Sequence, residues 1–327
     1  MTVLLIVVFF LSLAAGRFAI EPTAVCDILM RAAGGNAGTD MASTVVLELR
    51  LPRTLLAMLV GAGLSLSGAV YQGIFRNPLV SPDVLGVSSG AGFGAVLGIL
   101  LWGTGTGTSI IAFVCGMASV GLAYYFSRSR GSVSMMSLVL SGIIISSIFS
   151  ALISLVKYAA DPYDKLPAIT YWLMGSLANA KWENLAVICP IIVLGTAFFW
   201  TQSQILNLML VGDAAAITLG RDLTRYRHGY LVLSSLMVGF VVYSSGMIGF
   251  VGLICPHVMR MLTGAEHRRL LPASAFAGAI LLVWADVLCR TILPRTELPI
   301  GILVSLVGAP CFVYLMVRRS YGFGDAE

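Results

Sequence analysis

The sequence predicts an all-α membrane protein of about ten spanning helices with inverted-repeat pseudo-symmetry, forming one domain over residues 1–327. Three observations carry that reading. Residues 84 to 127 run 44 positions without Asp, Glu, Lys or Arg, and similar charge-free stretches cover 54–75, 131–156, 184–212, 229–259, 270–285 and 298–317. Hydrophobic residues make up 58% of the chain and charged ones 11%, where soluble domains hold about 25%. Finally, Ser67-Gly68 precedes Pro78 by the spacing with which Ser245-Gly246 precedes Pro256.

Each span follows from where charge can sit. A charged side chain at the centre of a spanning helix costs roughly 2.5–3.5 kcal/mol, so charges belong in the connections, and a span needs about 20 apolar residues. The spans fall near residues 2–16, 53–73, 82–102, 108–127, 132–156, 184–202, 227–245, 247–263, 270–291 and 299–317. The first is short, and its Leu-Ala-Ala-Gly ending also suits a signal peptide, but Met1-Thr2 supplies no basic start, which favours a span. In the third, Gly86, Gly90, Gly94 and Gly98 form one stripe for close helix packing. The fifth is serine-rich, with Ser134, Ser137 and Ser141 on one face and Ser147, Ser150 and Ser154 on nearly the opposite one. The eighth holds Pro256 and His257, the latter with no second His, Cys or carboxylate one turn away, so it reads as a packing residue. Near the outer end of the ninth, Asp286 and Arg290 are spaced i,i+4, as in a local ion pair.

The connections set orientation. With both termini cytoplasmic, the inside carries Arg76, Arg128, Arg130, Arg221, Arg225, Arg227, Arg260, Arg268, Arg269, Arg318 and Arg319 with few acids, as the positive-inside rule requires. Acids offset most of the basic residues outside, where Lys157, Lys165 and Lys181 share one loop against the usual cytoplasmic bias. The two Ser-Gly echoes, five spans apart, lie on opposite sides of the membrane, as in inverted repeats. The inner loop 203–229 reads as a short helix pair: Asp213 suits an N-cap, Ala214, Ala215 and Ala216 are strong helix formers, and Gly220 is a natural stop. It is either an interfacial connector or a helix that fits a partner's groove.

Several chemistries are excluded. The residues before the three lysines are Val156, Asp164 and Ala180, so no Walker A loop exists and this chain binds no ATP by that route. The Gly-rich run Ser89 to Gly94 follows no strand and is not a phosphate loop. Gly322-Phe323-Gly324-Asp325 matches a protease motif but lies on the tail without a second intramembrane aspartate. The six cysteines form no disulfide framework and no metal spacing, and the net charge of +5 suits basic cytoplasmic loops rather than nucleic acid. With His257 alone inside a span, an ion-coupled carrier lacks its usual titratable groups.

Taken together, Leu49-Arg50-Leu51-Pro52-Arg53-Thr54, Ser67 to Gln72, Asn77-Pro78-Leu79, Leu85 to Gly92, Gly212-Asp213-Ala214 through Leu219-Gly220, Gly249 to Leu253 with Pro256-His257, and Glu297 to Gly301 with Gly308-Ala309-Pro310 resemble the permease of bacterial ABC importers for iron-siderophores, haem and cobalamin. The likeness spans nearly the whole chain in order; the N-terminus is shorter than expected of the family. It implies a bacterial inner-membrane homodimer of permeases, two ATP-binding subunits carrying ATP and Mg, and a periplasmic binding protein. By that likeness, residues 212 to 220 become an ATPase-coupling helix. Arg50, Arg53 and Arg290 become outward arginines that pair with glutamates of the binding protein. The serines of the fifth span line the pathway, and the loop 127–132 with Arg128 and Arg130 forms an inner gate. The expected function is import of a metal chelate, ferric siderophore first and haem or cobalamin next, against the alternative of an ATPase-independent secondary transporter or channel. No cofactor or metal is expected on this chain itself.

Overall fold

The computed structural model describes residues 1–321 except 37, 130, 131, 213–215, 217, 219, 221, 222 and 294, and omits the side chains of 129, 132, 133, 316 and 318–321. Helices run in the order α1 Thr2–Ala14, α2 Pro22–Ala33, α3 Met41–Thr44, α4 Leu51–Phe75, α5 Val87–Trp102, α6 Thr106–Ser127 and α7 Met135–Ala159. After these come α8 Lys165–Leu173, α9 Trp182–Thr201, α10 Ser203–Val211, α11 Leu223–Ser245, α12 Val251–Thr263, α13 His267–Thr291 and α14 Ile300–Tyr321. Between α6 and α7, Arg128–Ser129 (β1) pairs antiparallel with Ser132–Val133 (β2).

Among the described residues, six helices are long and apolar enough to cross a membrane: Met41–Phe75, Thr106–Ser127, Met135–Ala159, Trp182–Thr201, Leu223–Ser245 and His267–Thr291. About ten spans were expected, and the described residues show six helices of membrane-spanning length. Thr2–Ala14, Val87–Trp102, Val251–Thr263 and Ile300–Leu315 are shorter apolar helices. The eighth span was read from 247, but Gly249 and Phe250 form a turn with Phe250 at φ +65°, so α12 begins only at Val251. Three further helices, α2, α8 and α10, occupy connections.

The helix Met41–Phe75 changes pitch where its sequence demands it. Pro52 has no N–H to donate to the preceding turn and its ring crowds the carbonyl four residues back. The chain answers with a π-turn over Val45–Arg50, where the Leu51 N–H reaches back to the Val46 carbonyl. At the start, the Asp40 carboxylate caps α3 by accepting from the Ser43 N–H (3.3 Å) and hydroxyl (2.6 Å), which holds its pKa below the ordinary value.

The core is built around α4. Gly61 faces Gly278 of α13 backbone to backbone, Gly68 faces Gly252 of α12, and Gly63 admits the Ile192 side chain of α9. Each glycine opens a groove toward a different neighbour, so one helix touches several at backbone distance. Polar side chains pin the same helix inside the apolar core: the Tyr71 hydroxyl meets the Ser235 hydroxyl at 2.5 Å, and Gln72 Nε2 donates to the Leu253 carbonyl at 3.3 Å. Asn207 of α10 caps α13, its Oδ1 accepting from the His267 N–H at 2.9 Å.

Candidate functional site

The residues singled out by sequence lie at the two ends of the bundle, along α7, on α5 and in α12. At the outer end, Arg53 Nε pairs with Asp286 Oδ1 at 2.8 Å while its Nη1 pairs with Glu297 Oε2 at 2.8 Å. Asp286 also takes Arg290 Nε at 3.0 Å, so the i,i+4 pair is one link of a longer chain of charges. That chain grades outward: side-chain exposure is 1% at Asp286, 11% at Arg53 and 32% at Glu297.

The last carbonyls of a helix have no partner within it and carry its negative end. Arginines fill that need for α1. Arg50 Nη1 donates to the carbonyls of Leu13 (2.7 Å) and Ala14 (2.9 Å), and its Nη2 to that of Phe18 (2.5 Å). Arg290 Nη2 donates to the Ser12 hydroxyl (2.8 Å) and carbonyl (3.3 Å), and the Ser12 hydroxyl also meets Thr54 Oγ1 at 2.8 Å. Arg50 and Arg290 are each 6% exposed. The family resemblance implies that these three arginines pair with glutamates of a binding protein. The structure places their guanidinium groups in contacts within the chain, because α1 and the two carboxylates need them there.

At the inner end, Gly212 is buried at the start of the loop after α10, the Ala216 N–H donates to the Gly212 carbonyl at 3.1 Å, and Ala216 is buried in the main core. Thr218 and Gly220 are exposed, and Gly220 has φ +70°, a backbone only glycine adopts readily. Asp213, Ala214, Ala215 and Leu219 lie outside the described residues. Arg128 is exposed at the start of β1, and Arg130 lies outside the described residues.

The serines of α7 separate by depth. Ser134 is its exposed N-cap residue, Ser137 is half-buried and Ser141 buried, whereas Ser147, Ser150 and Ser154 are exposed. Ser147 and Ser154 satisfy their hydroxyls on their own helix, donating to the carbonyls of Ile143 and Ser150 at 2.9 Å. The exposed serines alternate with Ile143, Ile144, Ile148, Leu155 and Tyr158, giving a mixed, uncharged surface.

Of the glycine stripe, Gly90, Gly94 and Gly98 lie against α6. A methyl group at Gly90 would stand 2.6 Å from the Cys115 carbonyl, one at Gly94 2.5 Å from that of Ile111, and one at Gly98 3.0 Å from Thr108 Cα. Gly86 belongs to the turn before α5; its carbonyl accepts from the Ser119 hydroxyl at 2.7 Å. His257 is buried edge-on to Phe312 at 5.9 Å between ring centres. Among the described residues no cluster of His, Cys, Asp or Glu could hold a metal ion.

Sequence reasoning missed Glu297 as the second partner of Arg53. The pairs of Arg53 with Asp286 and Glu297 lie 233 and 244 residues apart and leave no local spacing to read, and the close packing of the α4 glycines on distant helices was missed for the same reason.

A helical bundle with six membrane-length apolar helices among the described residues defines an integral membrane protein. The model of the FecCD transport family matches residues 4–318, and the chain belongs to that family as a permease. It is 40% identical over 98% of its length to the molybdate import system permease protein MolB of Haemophilus influenzae, covering 95% of that relative. It is also 40% identical over 84% of its length to the Fe(3+) dicitrate transport system permease protein FecD of Escherichia coli, covering 85% of it. A solved metal-chelate type ABC transporter in an inward-facing conformation superposes with a TM-score of 0.87 at 38% identity, covering 97% of each chain. The protein is a multi-pass protein of the inner membrane.

Proposed function

We propose that this chain is the permease subunit of an ATP-driven importer that carries a metal chelate from the periplasm to the cytoplasm. The observation that carries this is the family match from residue 4 to residue 318, which takes in the outer charged network, the α7 face and the inner loop together. Two copies would pack with α7 of each facing a shared pathway, two ATP-binding subunits holding ATP and Mg would sit at the inner loop, and a periplasmic binding protein would dock outside. The ten apolar helices would form two inverted repeats, with Ser67-Gly68 on α4 and Ser245-Gly246 at the end of α11 as corresponding points.

Ferric siderophore is the first substrate to test, then haem and cobalamin, since an uncharged hydroxyl-bearing wall passes a bulky chelate without gripping it. The molybdate permease relative adds a small oxyanion as a second reading. Arg50, Arg53 and Arg290 would lie at the docking face, with exposed Arg17, Arg31 and Arg295 adding charge that steers docking, which acts on association rate more than on affinity.

The test uses the chain co-purified with its ATP-binding and binding-protein partners in proteoliposomes. ATP hydrolysis should rise on adding loaded binding protein, and labelled chelate should enter only with ATP. Thr218→Arg, exposed on the inner loop, should uncouple hydrolysis from uptake and leave binding-protein docking intact. Ala216 is unsuitable because it is buried. Uptake driven by an ion gradient without ATP would instead establish a secondary transporter and overturn this reading.

A further inference from the structure

A groove of about 730 Å³ opens where three spans end on the same side, at the starts of α6 and α9 and the end of α11, with α8 as one wall. No residue of α7 or α14 lines it, so it lies away from the proposed pathway. The basic-loop bias assigns this side to the outside.

Its lining combines both signs of charge with aromatic rings. Lys181 and Glu183 are exposed, and neither is paired with another side chain among the described residues. Tyr171, Trp172, Tyr243 and Ser244 line the same groove. One turn or so deeper, Ile110 and Val114 of α6 and Val187 of α9 are exposed and apolar. Trp182, beside Lys181, is exposed as well, as residues of the aromatic belt at a membrane surface are.

We propose that this groove binds the headgroup of an aminophospholipid. The ligand needs an anion for Lys181, a hydrogen-bonding cation for Glu183 and the ring faces, and two acyl chains for the apolar helix surfaces below. A phosphate ester of ethanolamine on a diacylglycerol meets all three demands. Ring faces attract a cation. A glycerol headgroup on the same phosphate is uncharged and leaves Glu183 without a cation, which gives the site its preference for ethanolamine. The volume lies within the ordinary range for small-ligand sites, about 300–1,000 Å³. The proposal does not rest on which solute the permease carries.

The test begins with the unaltered chain, purified in mild detergent, stripped of lipid and returned to phosphatidylethanolamine, phosphatidylcholine or phosphatidylglycerol in turn. Phosphatidylethanolamine should raise the melting temperature most, and native mass spectrometry should show it retained at low stoichiometry. In Lys181→Ala with Glu183→Gln, its apparent affinity should fall about tenfold, the loss expected for charge-assisted hydrogen bonds. Melting in detergent alone should be unchanged, since both residues are exposed. Equal stabilisation by all three lipids, or equal retention by the parent and the double variant, would mean a lipid annulus only and overturn the proposal. The headgroup series decides the matter on the unaltered protein if the variant folds poorly.

Discussion

Asp286 is the residue on which the outer end turns. It is buried between two guanidinium groups, so Asp286→Ala leaves two buried cations short of their carboxylate, and breaking a buried pair in this way costs about 3–5 kcal/mol. Glu297 holds the exposed end of the chain of charges, and Glu297→Gln should cost about 1 kcal/mol or less. Thermal unfolding in detergent separates the two, and equal losses would show that the network does not stabilise in proportion to burial. The i,i+4 pair of Asp286 and Arg290 was legible in the sequence because both residues share one helix face. Its extension to Arg53 and Glu297 was not, since a charge flanking Pro52 reads equally well as an interfacial anchor until α13 is placed beside α4.

At the scale of elements, close packing of α5 on α6 makes a prediction with an internal control. Gly90→Leu and Gly94→Leu drive a side chain into the α6 backbone and should cost about 1–3 kcal/mol or more. Gly121→Leu, in the middle of α6 with nothing near its missing side chain, should cost little. If all three variants melt alike, the stripe is not a packing surface. A four-residue spacing made the α5 stripe visible in the sequence. The glycines of α4 are spaced irregularly, because each serves a different neighbour, so no single stripe appears. Likewise the nine-residue α8 was hidden within a connection, too short to mark a period, whereas the loop 203–229, which holds α10, was read as a short helix pair.

For the molecule as a whole, exposure by itself does not say what covers a surface. Ser150 on α7 and Leu194 on α9 are both exposed in the single chain. If α7 faces a water-filled pathway between two copies, a cysteine at Ser150 or Ser154, in a protein whose native cysteines are replaced, should react with a membrane-impermeant thiol reagent. A cysteine at Leu194 should not. Unreactive cysteines at both serine positions would place that face of α7 in lipid and remove it from the pathway. The fold class was readable from the charge-free stretches alone, whereas the faces turned to lipid, to a partner and to the solute share one apolar composition.

The burial of α4 also orders events in time. Its glycines face α9, α12 and α13, whose sequences lie well over a hundred residues downstream. At about 5–20 residues per second, on the order of 10–40 s pass between synthesis of α4 and of α13. During that interval Gly61 and Gly68, and Tyr71 and Gln72, lack the partners they meet later. The first half of this protein therefore waits in the membrane as an unfinished surface, and the ribosome completes its core from the other end of the chain.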